Sequence, residues 1–210
     1  MTNCHGKVMY NTFAKKLASA NYAINSSKNF LPLKIRKTLY YSLFDSHLNF
    51  GNLLWGSGTN KLISKVENLQ KRCIRNVALK PFKAHTEPLY KNLSILKFTD
   101  KLTFARSVFM HKYRNKKLPE SFSNLFTEIT CTDELQTRHN DFNYQNNPAI
   151  KRNLESFPFK NIIKTWNFLT IDLKATADEV EFENLLKEYL LSKYSSNTQC
   201  DVFPCHSCNN

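Results

Sequence analysis

Cys200, Cys205, His206 and Cys208 are the ligand types of a tetrahedral zinc site, three thiolates and an imidazole. Their spacing follows no zinc-finger pattern, and the adjacent Cys205 and His206 are awkward joint ligands. No helical or hairpin pattern leads into them, so a disordered tail with incidental cysteines is expected, with no metal and no cofactor. Two-metal phosphoryl chemistry needs adjacent or facing carboxylates, and the chain contains no Asp-Asp pair. Its adjacent acidic pairs are Asp133-Glu134, in a polar stretch, and Asp178-Glu179, placed to cap a helix and complement its dipole. No Gly-x-Ser-x-Gly, phosphate-binding loop or His-Glu-x-x-His occurs. Catalysis by this chain alone is not expected.

The cations are the other chemical resource. Residues 1–125 hold 22 Lys and Arg against 5 Asp and Glu, whereas residues 126–210 hold 8 against 12. A surplus confined to one half suggests a polyanion-binding surface there, because phosphate contact by Lys and Arg releases counterions. The candidate contacts are Lys34, Arg36, Lys37, Lys61, Lys65, Lys71, Arg72 and Arg75. Tyr40, Tyr41 and Trp55 have the chemistry to stack on bases, although their helical register favours the core.

Hydrophobic spacing shows what must position these groups. Tyr10, Phe13, Leu17, Ala20 and Ile24 predict an amphipathic helix from Val8 to about Ile24, broken at Asn25-Ser26-Ser27. Pro32 opens a second helix with Ile35, Leu39, Leu43 and Leu48 as its apolar face. Asn60 to Leu79 is the strongest helix, striped by Leu62, Val66, Leu69, Cys73 and Val77 and ended at Pro81. Thr86 is placed to cap a short helix running to Leu93. Phe98 to Lys117 follows, stopping before Pro119, with one more turn at Glu120 to Phe126. Weak periodicity returns from Phe159 to Leu169, and Asp178 to Tyr194 reads as a final helix on Val180, Leu185, Leu186, Tyr189 and Leu190. Four Gly and seven Pro argue against an all-β chain. The expected class is mostly α, a helical bundle with a long irregular segment near residues 129–160 and a disordered tail. Cys73 sits on an apolar stripe as a core residue, and reduced thiols are expected. No apolar run approaches the roughly 18 residues of a membrane span, and the N-terminus lacks a signal-peptide pattern. An intracellular protein, nuclear or cytoplasmic, not secreted and with no membrane partner, is expected.

Short landmarks also run through the chain in a fixed order. Leu31-Pro32-Leu33 precedes Tyr40-Tyr41-Ser42-Leu43, then His47-Leu48-Asn49-Phe50-Gly51 and Trp55-Gly56. Leu69-Gln70-Lys71, Ile74-Arg75, Thr86-Glu87-Pro88-Leu89 and Leu118-Pro119-Glu120-Ser121-Phe122 follow. Thr137-Arg138, Tyr144, Pro148, Arg152 and Trp166-Asn167-x-Leu169 complete the series. This string resembles the region after the polymerase palm in non-LTR (LINE-type) retrotransposon reverse transcriptases. Thr170 stands where that pattern has proline and Asn161 where it has glycine. The resemblance implies a thumb or connection element that holds an RNA–DNA or RNA duplex for an RNA-directed DNA polymerase whose palm lies outside this chain. It divides the chain into a basic thumb-like domain at 1–126, an irregular segment with C-terminal helices at 127–194, and a flexible tail at 195–210. A helical protein-interaction module and a decayed transposon remnant without activity are the competing expectations.

Overall fold

A computed structural model describes residues 3–50, 52–55, 60–129, 142–147 and 159–194. Cys131, Arg138, Pro148, Arg152, Cys200, Cys205, His206, Cys208 and the tail from 195 lie outside the described residues. The structure is mostly helical, as the spacing predicts. Helix α1 runs Asn3–Ser27, α2 Leu33–Leu39, α3 Ser46–Asn49, α4 Asn52–Trp55 and α5 Asn60–Val77. Then come α6 Glu87–Leu93, α7 Phe98–Arg114, α8 Phe159–Asn167, α9 Ile171–Ala175 and α10 Glu179–Ser192.

The chain divides into two compact units, one of residues 1–100 with 190–210 and the other of residues 101–189. The expected boundary at 126 differs from this division. Within the second unit the Tyr113 hydroxyl donates to Phe126 O at 2.7 Å and accepts from Phe126 N–H at 3.1 Å, tying the chain beyond Pro119 back to α7. Tyr194 belongs with the first unit, since its hydroxyl donates to Asp100 Oδ2 at 2.5 Å and accepts from Lys97 N–H at 2.9 Å.

In the first unit α1 packs along α5. Leu17 and Ile24 of α1 and Val66, Cys73, Ile74 and Val77 of α5 are buried there. α1 runs through the expected break at Asn25 to Ser27, where the Ser26 and Ser27 hydroxyls donate back to Tyr22 O and Ala23 O, as serine does inside a helix. Gln70 is fully buried within the apolar face of α5. Its amide nitrogen donates to Tyr40 Oη at 2.9 Å and to Leu96 O at 3.0 Å, and its oxygen accepts from Phe98 N–H at 2.8 Å.

α2 departs most from expectation. Ile35 and Leu43 are exposed, and the buried row is Arg36, Tyr40, Phe44 and Leu48. Residues Tyr40–Asp45 form a π-turn. Residues four apart drift about 40° per step around an α-helix, and a wider turn removes that drift. Tyr40 and Phe44 thereby stack, with ring centroids 5.6 Å apart. Burying two aromatic rings outweighs burying the Ile35, Leu39 and Leu43 row, because each ring removes more surface from water.

With few glycines available, α5, α6 and α7 end on residues in the left-handed region: Leu79, Ser94 and Lys116, at φ 53°, 54° and 53°. Each end closes with the paired reverse bonds of a Schellman motif, such as Lys80 N–H to Arg75 O at 2.9 Å and Leu79 N–H to Asn76 O at 3.3 Å. Thr86 occupies the N-cap position of α6, but its hydroxyl makes no capping bond.

The second unit contains a two-stranded antiparallel ladder, β1 Phe126–Glu128 with β2 Tyr144–Asn146; β1 precedes the stretch expected to be irregular near 129–160, and β2 lies inside it. Asn167 mimics a strand backbone: its amide accepts from Tyr144 N–H at 3.1 Å and donates to Tyr144 O at 2.9 Å. The buried Trp166 indole donates to Phe142 O at 2.8 Å. The Trp166-Asn167 landmark is thus a clamp on the segment holding β2. Thr170 has φ −67°, the value a proline ring imposes, so the backbone is proline-compatible there. The short helix α9 carries too few residues for periodicity to reveal. Its Lys174 is buried, with the ammonium donating to Asn143 Oδ1 at 2.8 Å and Asn167 O at 3.1 Å. On α10, Leu186 and Leu190 of the expected stripe are buried together with Phe182, whereas Val180 and Leu185 are exposed. The buried His111 ring, stacked on Phe182 at 4.3 Å, takes the space between α7 and α10. Asp178 Oδ2 accepts from Glu181 N–H at 2.8 Å, the expected cap, and Glu179 pairs with Lys112 and Lys117 at 2.9 and 3.1 Å.

Two outcomes follow for stability. Gln70→Leu removes three hydrogen bonds from a buried site, so it should lower unfolding free energy by about 2–4 kcal/mol in denaturant titration. Burial pushes the Tyr144 phenol up to about 12, with Glu128 adding to the rise. Burial raises Tyr40, Tyr90 and Tyr194 in the same direction, as it does the Cys73 thiol. Each fold-raised group favours its neutral form. The stability tied to the phenols is therefore complete below pH ~10 and is lost as pH rises through their folded values. Thermal melts should fall steeply above pH ~10, and Tyr144→Phe should reduce the slope there.

Candidate nucleic-acid interface

Helix α5 sorts its side chains by angle. At about 100° per residue, Lys61, Lys65, Arg72 and Arg75 fall within about 40° of one line, and Lys71 lies about 80° off it. Val66, Gln70, Cys73, Ile74 and Val77 occupy the opposite side and are buried. Packing of that apolar side therefore fixes the direction in which the cations point. Lys61, Lys65, Lys71 and Arg72 are exposed, and none makes an ion pair among the described residues. From Lys61 to Arg75 the ridge is about 21 Å long, against one phosphate charge per roughly 1.7 Å of duplex axis. Glu67, the helix's single acid, lies about 120° round from Lys61.

The far end of the ridge is tied down. Arg75 Nε donates to Ala84 O at 2.7 Å. Burial draws the Arg75 guanidinium's pKa down, opposed by Tyr90 and assisted by Arg72. Residues 78–86 form a compact turn in which Ala84 N–H reaches Pro81 O at 3.0 Å. Phe82 stands on that turn, 70% exposed, with the Arg72 and Arg75 guanidinium carbons 5.8 and 5.7 Å from its ring centre. Sequence reasoning passed over Phe82. The available signal was an aromatic beyond the last stripe residue, Val77, between Lys80 and Lys83 and with no helical partner to pack on.

The other expected contacts separate. Lys34 is exposed and Lys37 half-buried on α2, a different helix from the ridge. Arg36 is a correction: it is only 7% exposed, and its Nε and Nη1 find no hydrogen-bond partner among the described residues. It shares the buried row with Tyr40 and Phe44, so the packing that buries those rings withdraws the guanidinium from solvent. Tyr40 is core, as its register favours, and Tyr41 is partly exposed. The side chain of Trp55 lies outside the described residues. Among the described residues there is no cluster of His, Cys, Asp and Glu able to hold a metal ion, and no helix is long and apolar enough to cross a membrane.

Compared with protein-family models, curated proteins and solved structures, the chain finds no match in any of the three.

A buried guanidinium with two nitrogens that find no hydrogen-bond partner among the described residues opposes folding, whereas an apolar chain of similar length does not. Arg36→Met should therefore raise the unfolding free energy, by about 1 kcal/mol or more, in denaturant titration. A loss of stability would instead reveal a partner for Arg36.

Proposed function

We propose that this chain is a noncatalytic element that holds an RNA–DNA or RNA duplex by its phosphates, the role of the thumb or connection region in a LINE-type reverse transcriptase. The observation that carries this reading is the α5 ridge, where exposed cations without ion pairs among the described residues stand opposite a buried face. Contacts of this kind position a duplex without reading its sequence. The ordered landmarks of the sequence support the same reading, and an intracellular location fits such a partner. The polymerase chemistry of the parent enzyme belongs to a palm with paired aspartates, supplied from outside this chain.

A second reading has its own observation. Phe30 and Phe50 are 86% and 82% exposed, and Leu33, Ile35, Tyr41 and Leu43 are also open to solvent. Exposed apolar side chains at this density suit a protein-docking surface. Under that reading, reversing charge on α5 leaves partner binding intact.

The test is binding of a fluorescent RNA–DNA hybrid across a salt series. Four phosphate contacts give log K against log salt a slope of about −3 to −4. The triple variant Lys61→Glu, Lys65→Glu and Arg72→Glu should weaken binding at least tenfold at low salt, on the order of 0.5 kcal/mol or more per contact, and flatten the slope by about 3. An unchanged slope, or salt-independent binding, would overturn the proposal.

A further inference from the structure

Resting on the duplex-holding reading, we infer that Phe82, with Arg72 and Arg75, forms a separate subsite that stacks the base of an unpaired nucleotide where a strand leaves the duplex. Phe82 is not a core residue: it is 70% exposed, on a turn closed by Lys80 N–H to Arg75 O and Ala84 N–H to Pro81 O. The Arg75 Nε bond to Ala84 O fastens that turn to α5. The ring is therefore held outward instead of folding back onto apolar neighbours.

Its immediate surroundings are cationic. Two guanidiniums lie within 6 Å of the ring centre, close enough for cation–π attraction. Lys80 and Lys83, on the same turn, are exposed. An aromatic face beside phosphate-binding cations is the chemistry by which proteins hold single strands: the ring takes a base, and the cations take the adjoining phosphates. A paired base inside a duplex already has both faces stacked and offers none to Phe82. An unpaired base does. The position of the ring supports this choice, because Arg75 ends the ridge and also fastens the Phe82 turn. A duplex that lay along Lys61, Lys65 and Arg72 and ended at Arg75 would present its strand end at Phe82. The ligand class is a single-stranded extension, RNA or DNA, adjoining a duplex.

The experiment compares three labelled RNA–DNA hybrids by fluorescence anisotropy: blunt, carrying a short unpaired extension, and carrying the same extension without bases. The extension should tighten binding about fivefold or more, and the abasic extension should lose most of that gain. Phe82→Ala should abolish the gain while leaving blunt-hybrid affinity and salt slope unchanged. Phe82→Trp should keep it and show fluorescence quenching with the intact extension only. Equal affinity for blunt and extended hybrids, or a gain that survives Phe82→Ala, would overturn the subsite and leave the duplex reading standing. If blunt hybrid is not bound, the duplex reading fails. The subsite then stands only if a free single strand binds in a Phe82-dependent way, and it falls otherwise.

Discussion

The buried amide of Gln70 is the interaction on which the first unit depends. It lies at the centre of the apolar face of α5, where a polar group without partners would oppose folding. Its three hydrogen bonds join the π-turn through Tyr40, the 95–97 connector through Leu96, and the start of α7 through Phe98. Apolar packing alone tolerates small slips between helices. An amide that must find two acceptors and one donor at fixed distances does not, so it sets the register of these segments. Asn76 adds a second polar tie, accepting from Lys28 at 3.0 Å and donating to Asn21 at 2.9 Å, so that α5 is also pinned to α1.

Register on α5 fixes which of its side chains face solvent. A helix has one angular degree of freedom about its axis, and burial of Val66, Cys73, Ile74 and Val77 around Gln70 removes it. Lys61, Lys65 and Arg72 then point outward together. The α2 segment shows the converse. There the same demand for aromatic burial at Tyr40 and Phe44 turns Arg36 inward, and neighbouring Ile35 and Leu43 are left in solvent. Core packing thus decides which cations are exposed to solvent.

The second unit relies on side chains that imitate backbone. Asn167 pairs with both backbone groups of Tyr144, Tyr113 does the same for Phe126, and Lys174 gathers Asn143 and Asn167. A ladder of three residues per strand is too short to stand alone. These bonds hold both of its strands against helices, which explains why a polar, aperiodic stretch of sequence becomes ordered at 126–128 and 144–147.

Helix class and the positions of the long helices were legible in the sequence, because spacing at three and four residues is a local property of the chain. So was the cationic side of α5, where one apolar stripe left a single outward face; Lys61, Lys65, Lys71 and Arg72 lie on it as expected. Where two rows competed, as with Ile35, Leu39 and Leu43 against Arg36, Tyr40 and Phe44, periodicity could not choose. That choice depends on what the neighbouring helices bury, and on a π-turn that has no local signature. The roles of Gln70 and Asn167 were equally hidden, since their partners lie 23 to 30 residues away. The prominence of Phe82 depended on a turn closed back onto Arg75. Local spacing determined which segments are the long helices and where positive charge accumulates. Tertiary packing decided which side of each helix meets water, because burial is a property of neighbours and not of the chain alone.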